Sequence, residues 1–230
     1  MKALIVCVYY DRPKMIRNAL QSVIDQTSPD WHLAFIDDGS TVPGVPIVEE
    51  MLGTGTHLST LVGSDSVEKK LKQGGSRHGQ YMNDMIHGED ADIVIILCDD
   101  DALHPECVEN CLRWFEENPD KLWGYGHVND FSPHEEGPGE VKRGSDLNKH
   151  TGPVDPVCRL DSTQVVFRRE VFDKCSYPYP ATGALDADIY SHVLAITDKV
   201  EYMGFVTQYK GRYPGQMGNR TDLLAPDDLA

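Results

Sequence analysis

The chain is short of positive charge. Its 230 residues carry 21 Lys and Arg against 37 Asp and Glu, a formal net charge of −16. Nucleic-acid surfaces and polybasic membrane patches need clustered basic side chains, so both are excluded. Long apolar runs are missing as well. No stretch approaches the roughly 18 residues needed to cross a bilayer, and Met1 to Tyr10 does not read as a signal peptide. Cysteine is present but unpatterned, at positions 7, 98, 107, 111, 158 and 175. Cys7 and Cys98 fall in apolar runs, which suits the reduced core thiols of a cytoplasmic protein. Cys107 and Cys111 are four apart, yet no second Cys or His pair completes a tetrahedral metal site. There is no internal repeat and no low-complexity tract.

What the chain does have is a sharp junction of apolar and acidic residues. Ile93-Val94-Ile95-Ile96-Leu97 runs through Cys98 into Asp99-Asp100-Asp101. The apolar run, rich in β-branched residues, reads as a strand buried on both faces. Three carboxylates cannot continue it without partners for their desolvated charge. They are expected just past its carboxyl end, where open α/β sheets bind ligands. Adjacent carboxylates repel one another, and a hard cation such as Mg²⁺ or Mn²⁺ relieves this while bridging to phosphate oxygens. Such a cation would also invert the local field, which the net negative charge otherwise sets against an anionic substrate. The competing reading is a solvated acidic turn that caps the next helix.

The rest of the chain supplies the frame. Strands are expected at Ala3 to Val8, Trp31 to Ile36, His57 to Val62 and Ile93 to Leu97. Helices are expected between them at Met15 to Gln26, Val45 to Leu52 and Ser76 to His87, with another from Pro105 to Glu116. This alternation predicts an α/β fold, a mainly parallel sheet with helices on both faces. Asp37-Asp38 also follows a strand, so two acid clusters share one edge of the sheet. After residue 120 the pattern loosens. Leu122 to Val128, Ser162 to Phe167 and Glu201 to Tyr209 read as strands and Asp186 to Ile196 as a helix, while Phe131 to Val154 reads as a long loop.

Several segments resemble the GT-A glycosyltransferases of family 2. They are Val6-Cys7-Val8-Tyr9-Tyr10-Asp11-Arg12, the helix ending Gln26-Thr27, and Phe35-Ile36-Asp37-Asp38-Gly39-Ser40-Thr41. Gly75-Ser76-Arg77 with Asn83, Asp99-Asp100-Asp101 with Pro105, Asp161 with Val165 to Arg169, and Leu185-Asp186-Ala187-Asp188 follow in the family's order. The resemblance covers roughly residues 2 to 215. It implies a single Rossmann-like GT-A domain over 1–230, with a nucleotide-binding half (1–120), an acceptor half (121–215) and an irregular tail (216–230). It further implies transfer of a hexose from a nucleotide-diphosphate sugar, usually a UDP-sugar, to a glycan or small-molecule hydroxyl, with inversion and with Mn²⁺ or Mg²⁺ as cofactor.

By the same resemblance, the Val8, Tyr9 and Tyr10 backbone, Asp11 and Asp38 face the base and ribose. Arg77 approaches the base or diphosphate, Asp99 meets the ribose, Asp100 ligates the metal and Asp186 is the general base. Asp101, Asp161 and Asp188 stand beside these roles. At Asp186 and Asp188 the plain alternative is a helix start that favours acids.

Two departures matter. Cys98 stands where many members place the first acid of the metal motif. Tyr213 stands where the family often has a metal-contacting His before Pro-Gly. Tyr is a poor neutral ligand, so Arg212 or Lys210 is expected to hold the diphosphate. Acids at strand ends also serve nucleotidyltransferases and metal-dependent phosphotransferases. Tyr9-Tyr10-Asp11-Arg12 lacks the glycines of the former and the paired Asp of the latter. A non-catalytic module that binds sugar nucleotides or glycans is the reading from outside enzymes.

Overall fold

The computed structural model describes residues 1–55, 57–63, 78–132, 144–157, 159–177 and 185–213. The first strand, β1 (Ala3–Tyr9), is apolar throughout, and only Val8 is not fully buried. Successive side chains of a strand face opposite ways, so β1 feeds two cores. Ala3, Ile5 and Cys7 pack with Ile16, Leu20, Cys107 and Phe115; Leu4 and Val6 pack with Met82, Ile86, Ile189 and Tyr190. These partners lie on α1 (Met15–Ile24) and α4 (Cys107–Glu117) on one side, and on α3 (His78–Gly88) and α5 (Leu185–Leu194) on the other. A short helix, α2 (Val45–Leu52), completes the set. The expected helices on both faces are therefore present.

The sheet has eight strands in the order β3-β2-β1-β4-β7-β6-β8-β5. Its first half, β3 (Leu58–Val62), β2 (Trp31–Asp37), β1 and β4 (Ile93–Cys98), is wholly parallel. The second half is mixed. β7 (Val165–Arg168) runs antiparallel to β4 and to β6 (Trp123–Phe131); β8 (Glu201–Gly211) runs parallel to β6, and β5 (Ala102–Leu103) antiparallel to β8. β6 and β8 approach so closely that a Cβ at Gly126 would meet the Thr207 side chain at 2.3 Å.

Three elements differ from the sequence reading. Ser162 to Gln164 is a 3₁₀ turn, and the strand starts only at Val165. Asp161 causes this by accepting from Thr163 N while Gln164 Oε1 accepts from Asp161 N, a capping box that overrides the alternating pattern. β5 is an added strand of two residues, directly after the acid triplet. β8 extends to Gly211, two residues beyond the expected end, because β6 runs beside it to Phe131.

The segment after the acids is held from α1. Ser22 Oγ accepts from Leu103 N at 2.9 Å. Gln26 donates to the carbonyl of His104 at 2.9 Å and accepts from Val108 N at 3.0 Å. These bonds fix where β4 hands over to α4, and so where the acids stand.

Candidate active site

The register brings the acid clusters together. Tyr9 lies opposite Asp37 across the β1–β2 pair, and Val8 lies opposite Cys98 across β1–β4. The crevice between β1 and β4 opens at this level. Asp99, Asp100 and Asp101 are 3%, 6% and 0% exposed, which rules out a solvated acidic turn. Each carboxylate has its own set of donors.

Asp99 Oδ2 accepts from Tyr10 N at 2.9 Å and Oδ1 from Arg12 Nη1 at 2.6 Å. Burial pushes its carboxyl up to about 6, against the opposing pull of Arg12 and the Tyr10 amide. Asp100 Oδ2 accepts from the Tyr213 hydroxyl at 2.7 Å, and Arg12 Nη1 lies 3.5 Å away. Asp101 is served from β8 alone: Oδ2 accepts from Lys210 Nζ at 3.0 Å and Oδ1 from Gly211 N at 2.9 Å. Lys210 Nζ also donates to Asp161 Oδ1 at 3.1 Å.

The neighbouring turn is built from its own acids. Asp37 accepts from Ser40 N and Gly44 N, both at 2.8 Å, and is a turn residue. Asp38 is buried, and its N–H donates to the Tyr9 carbonyl at 3.0 Å. Gly39 follows at φ 74, where a Cβ would be strained. Asp11 also has positive φ, and its carboxylate accepts from Val42 N at 2.8 Å. The Tyr9 ring is fully buried, stacks on Phe35 and donates its hydroxyl to the Val42 carbonyl. Only the backbone of Tyr9 is therefore on offer to a nucleotide. Val8 is partly buried beside it, and Tyr10 is exposed.

Asp186 opens α5 and is partly exposed. Burial raises its carboxyl above the ordinary range; the Ala187 amide opposes this, Asp161 adds to it and Lys210 opposes it. Asp186 is thus within electrostatic reach of the Asp161–Lys210 pair, and through it of Asp101. Asp188 lies in the same first turn, also partly exposed. In Asp161 burial acts upward, but Lys210 and Thr163 outweigh it and hold the carboxyl below its ordinary value.

Other expected site residues are engaged elsewhere or lie outside the described set. Arg212 donates to Asp130 at 2.9 Å, Ser145 at 3.0 Å and Asp146 at 2.6 Å, which clasps the 144–148 segment to the end of β6. Lys210, the other cation considered for the diphosphate, is buried between its two carboxylates. Asn83 clamps the Tyr177 backbone with two hydrogen bonds of 2.9 Å. Arg77, Gly75 and Ser76 lie outside the described residues. Arg12 received no role from the sequence reading. Its only signal there was a cation placed three residues past a buried strand.

One possible metal cluster occurs among the described residues: Cys98, Asp100 and Asp101, with one ligand atom each within 4.8 Å of one another. Burial pushes the Cys98 thiol well up, so it is a poor ligand for a hard cation. Both Asp101 oxygens already accept a hydrogen bond, one of them from an ammonium whose charge opposes a cation there. Asp100 remains, and one carboxylate suits Mg²⁺ or Mn²⁺, which take most of their shell from waters and phosphates. The residues present therefore fit such an ion. No helix among the described residues is long and apolar enough to cross a membrane.

Comparison with known proteins agrees with the fold. S. aureus TarS 1-349 in complex with UDP-GlcNAc superposes with a TM-score of 0.74 at 17% identity, over 99% of this chain and 63% of that one. The same protein in complex with UDP gives 0.72 at 17% identity, over 93% and 61%. Protein CgeD of Bacillus subtilis (strain 168) is 27% identical over 137 residues, 56% of this chain and 31% of its own length. The chain thus spans less than two thirds of each of these relatives. The sheet and its flanking helices have the GT-A fold of those structures. The chain belongs to glycosyl transferase family 2, whose profile matches residues 4–175.

Proposed function

We propose that this chain is an inverting, metal-dependent transferase that moves a hexose from a UDP-sugar to an acceptor hydroxyl. One GT-A domain over residues 1–230 would carry it, with residues 1–120 holding the nucleotide and 121–215 the acceptor. The carrying observation is a row of linked carboxylates at one edge of the sheet: Asp100 beside Arg12 and Tyr213, Asp101 and Asp161 on one lysine, and Asp186, raised by burial, within electrostatic reach of that pair. A stronger base and a diphosphate-facing acid are the two requirements of a single displacement.

In this reading the Val8 to Tyr10 backbone, Asp11 and Asp38 line the base and ribose. Asp99 accepts from a ribose hydroxyl, since each of its oxygens keeps a second lone pair. Asp100 holds Mn²⁺ or Mg²⁺, which when bound offsets the charge developing on the leaving diphosphate. Arg12 keeps a third of its side chain exposed and adds a fixed positive charge beside that ion. Asp186 takes the proton from the acceptor hydroxyl as it attacks. Arg77 keeps its place near the base or diphosphate by resemblance alone. The five described cysteines are all free, which supports a cytoplasmic location.

The TarS complex makes UDP-GlcNAc the first donor to try. Thermal shift with UDP and with UDP-GlcNAc, each in Mn²⁺ and in EDTA, tests the reading. A ligand at ~100 times its dissociation constant adds about 2.7 kcal/mol. The shift should be larger in Mn²⁺, and Asp100→Asn should erase that increment. A full Mn²⁺ increment in Asp100→Asn would put the metal elsewhere.

A further inference from the structure

Four carboxylates surround the inner end of the crevice: Asp100, Asp101, Asp161 and Asp186. Among the described residues, one ammonium is buried with them. Lys210 is 9% exposed and bridges Asp101 and Asp161 at 3.0 and 3.1 Å. Burying an ammonium is costly unless good partners offset the lost hydration. Burial would by itself lower its proton affinity, yet Asp101 and Asp161 outweigh that and keep the lysine charged. The next residue, Gly211, fills the remaining oxygen of Asp101. Strand β8 therefore sets a positive charge and a backbone donor on Asp101, which opposes a cation at its oxygens, and ties Asp161 to the same ammonium.

We propose that Lys210 is a positioning residue: its ammonium, bridging Asp101 and Asp161, withholds both from metal binding, so that Asp100 alone ligates and Asp186 stays free to act on the acceptor. This rests on the metal and base roles proposed above. The chemical argument is one of ligand count. Cys98, Asp100 and Asp101 present ligand atoms within 4.8 Å of one another. With the ammonium gone, the same place would offer Asp100 and Asp101 together, with Asp161 no longer tied to Lys210, and would bind a divalent cation with less help from a nucleotide. A site of that kind would hold its ion through the catalytic cycle. The native arrangement leaves the ion dependent on the diphosphate, so both can depart together.

The test is a gain of binding. The probe is Mn²⁺ alone, followed by electron paramagnetic resonance, with native protein, Lys210→Met and Lys210→Met/Asp101→Asn. Methionine keeps the length and apolar stem of lysine and removes its charge. Native protein should bind free Mn²⁺ weakly. Lys210→Met should bind it about tenfold or more tightly, as expected when carboxylates are added to an oxygen site. The double variant should fall back toward native affinity. A loss of packing moves melting temperature but does not create a metal site, so the gain separates the two roles.

If Lys210→Met folds only with Mn²⁺ present, the proposal is supported. If it does not fold even then, Lys210→Gln, which still donates one hydrogen bond, carries the same measurement. Tight Mn²⁺ binding by native protein without nucleotide, or no gain in the charge-deleted variant, overturns the proposal. Failure of the metal reading itself shows separately, as an Mn²⁺ increment in the UDP shift that survives Asp100→Asn in an otherwise native chain.

Discussion

The Tyr213 hydroxyl donates to Asp100 Oδ2 at 2.7 Å and joins two residues 113 positions apart. The same oxygen lies 3.5 Å from Arg12 Nη1. The carboxylate proposed to carry the metal is thus approached by a donor from β8's end and a cation from β1's end. Burial, and then the hydrogen bond to Asp100, push the Tyr213 phenol up, so it stays a donor at neutral pH.

Tyr213→Phe removes that donor and keeps the ring. A hydrogen bond to a charged group contributes about 1.5–3 kcal/mol, less where solvent reaches it. Melting temperature in EDTA should therefore fall by a few degrees. With Mn²⁺ and UDP present the gap to native should narrow, because the ion then satisfies Asp100. A gap of equal size in both conditions would mean that the hydroxyl has no connection to the metal.

Arg12→Ala deletes the cation shared by Asp99 and Asp100. Affinity for UDP in Mn²⁺, read by calorimetry, should drop about tenfold or more, the scale of one charge-assisted hydrogen bond. Arg12→Lys should recover part of it, since an ammonium supplies charge without the planar fork. Native affinity in Arg12→Ala would reduce this residue to a surface ion pair.

Asp186→Asn should lower the transfer rate by about 10²–10⁴, the usual contribution of a general base, while UDP affinity stays within a few fold. Asp188→Asn should cost less. The base works only when deprotonated, so activity should fail as pH drops through its pKa. Burial raises that pKa, and the acid limb of the rate profile should therefore lie above the ordinary carboxylate range. A dead Asp188→Asn beside an active Asp186→Asn would move the base by two residues.

Gly126→Ala tests the closure of the mixed half. The new methyl would meet Thr207 atoms at 2.3 to 2.9 Å, so β6 and β8 must separate. Unfolding stability should fall by about 1–3 kcal/mol, the scale of overpacking in a core. The companion Gly126→Ala/Thr207→Ala should regain most of the loss. A single variant as stable as native would show that the strands part freely.

Much of the first half of the chain was legible because its signals are local. An apolar run that stops at acids announces both a buried strand and the edge where it ends, as at β4, with six residues before three acids, and at β2, with four before two. The helices between them were legible from apolar spacing. The second half was less so. β5 is two residues long, too short for any periodicity to register. At Asp161 a side-chain cap imposed a 3₁₀ turn on an alternating segment. Lys210 read as a cation free for a phosphate, since nothing near it in sequence reveals carboxylates 109 and 49 residues away. Arg212 misled in the same way, with Asp130 and Asp146 as its distant partners.

The pairing of Ala102 and Leu103 with Tyr209 and Gln208 also bears on how the protein comes to be made. Asp101 acquires both of its donors from residues 109 and 110 positions later. Closing so long a loop costs chain entropy before any bond repays it, so these contacts belong to the late steps of folding. On the ribosome, the parallel strands β1 to β4 can assemble while β8 is still unsynthesised. The acids would then stand at the edge of a half-built sheet with their charges unmet. A nascent chain in that condition has the acidic crevice in outline only, and the crevice is complete when the eighth strand docks.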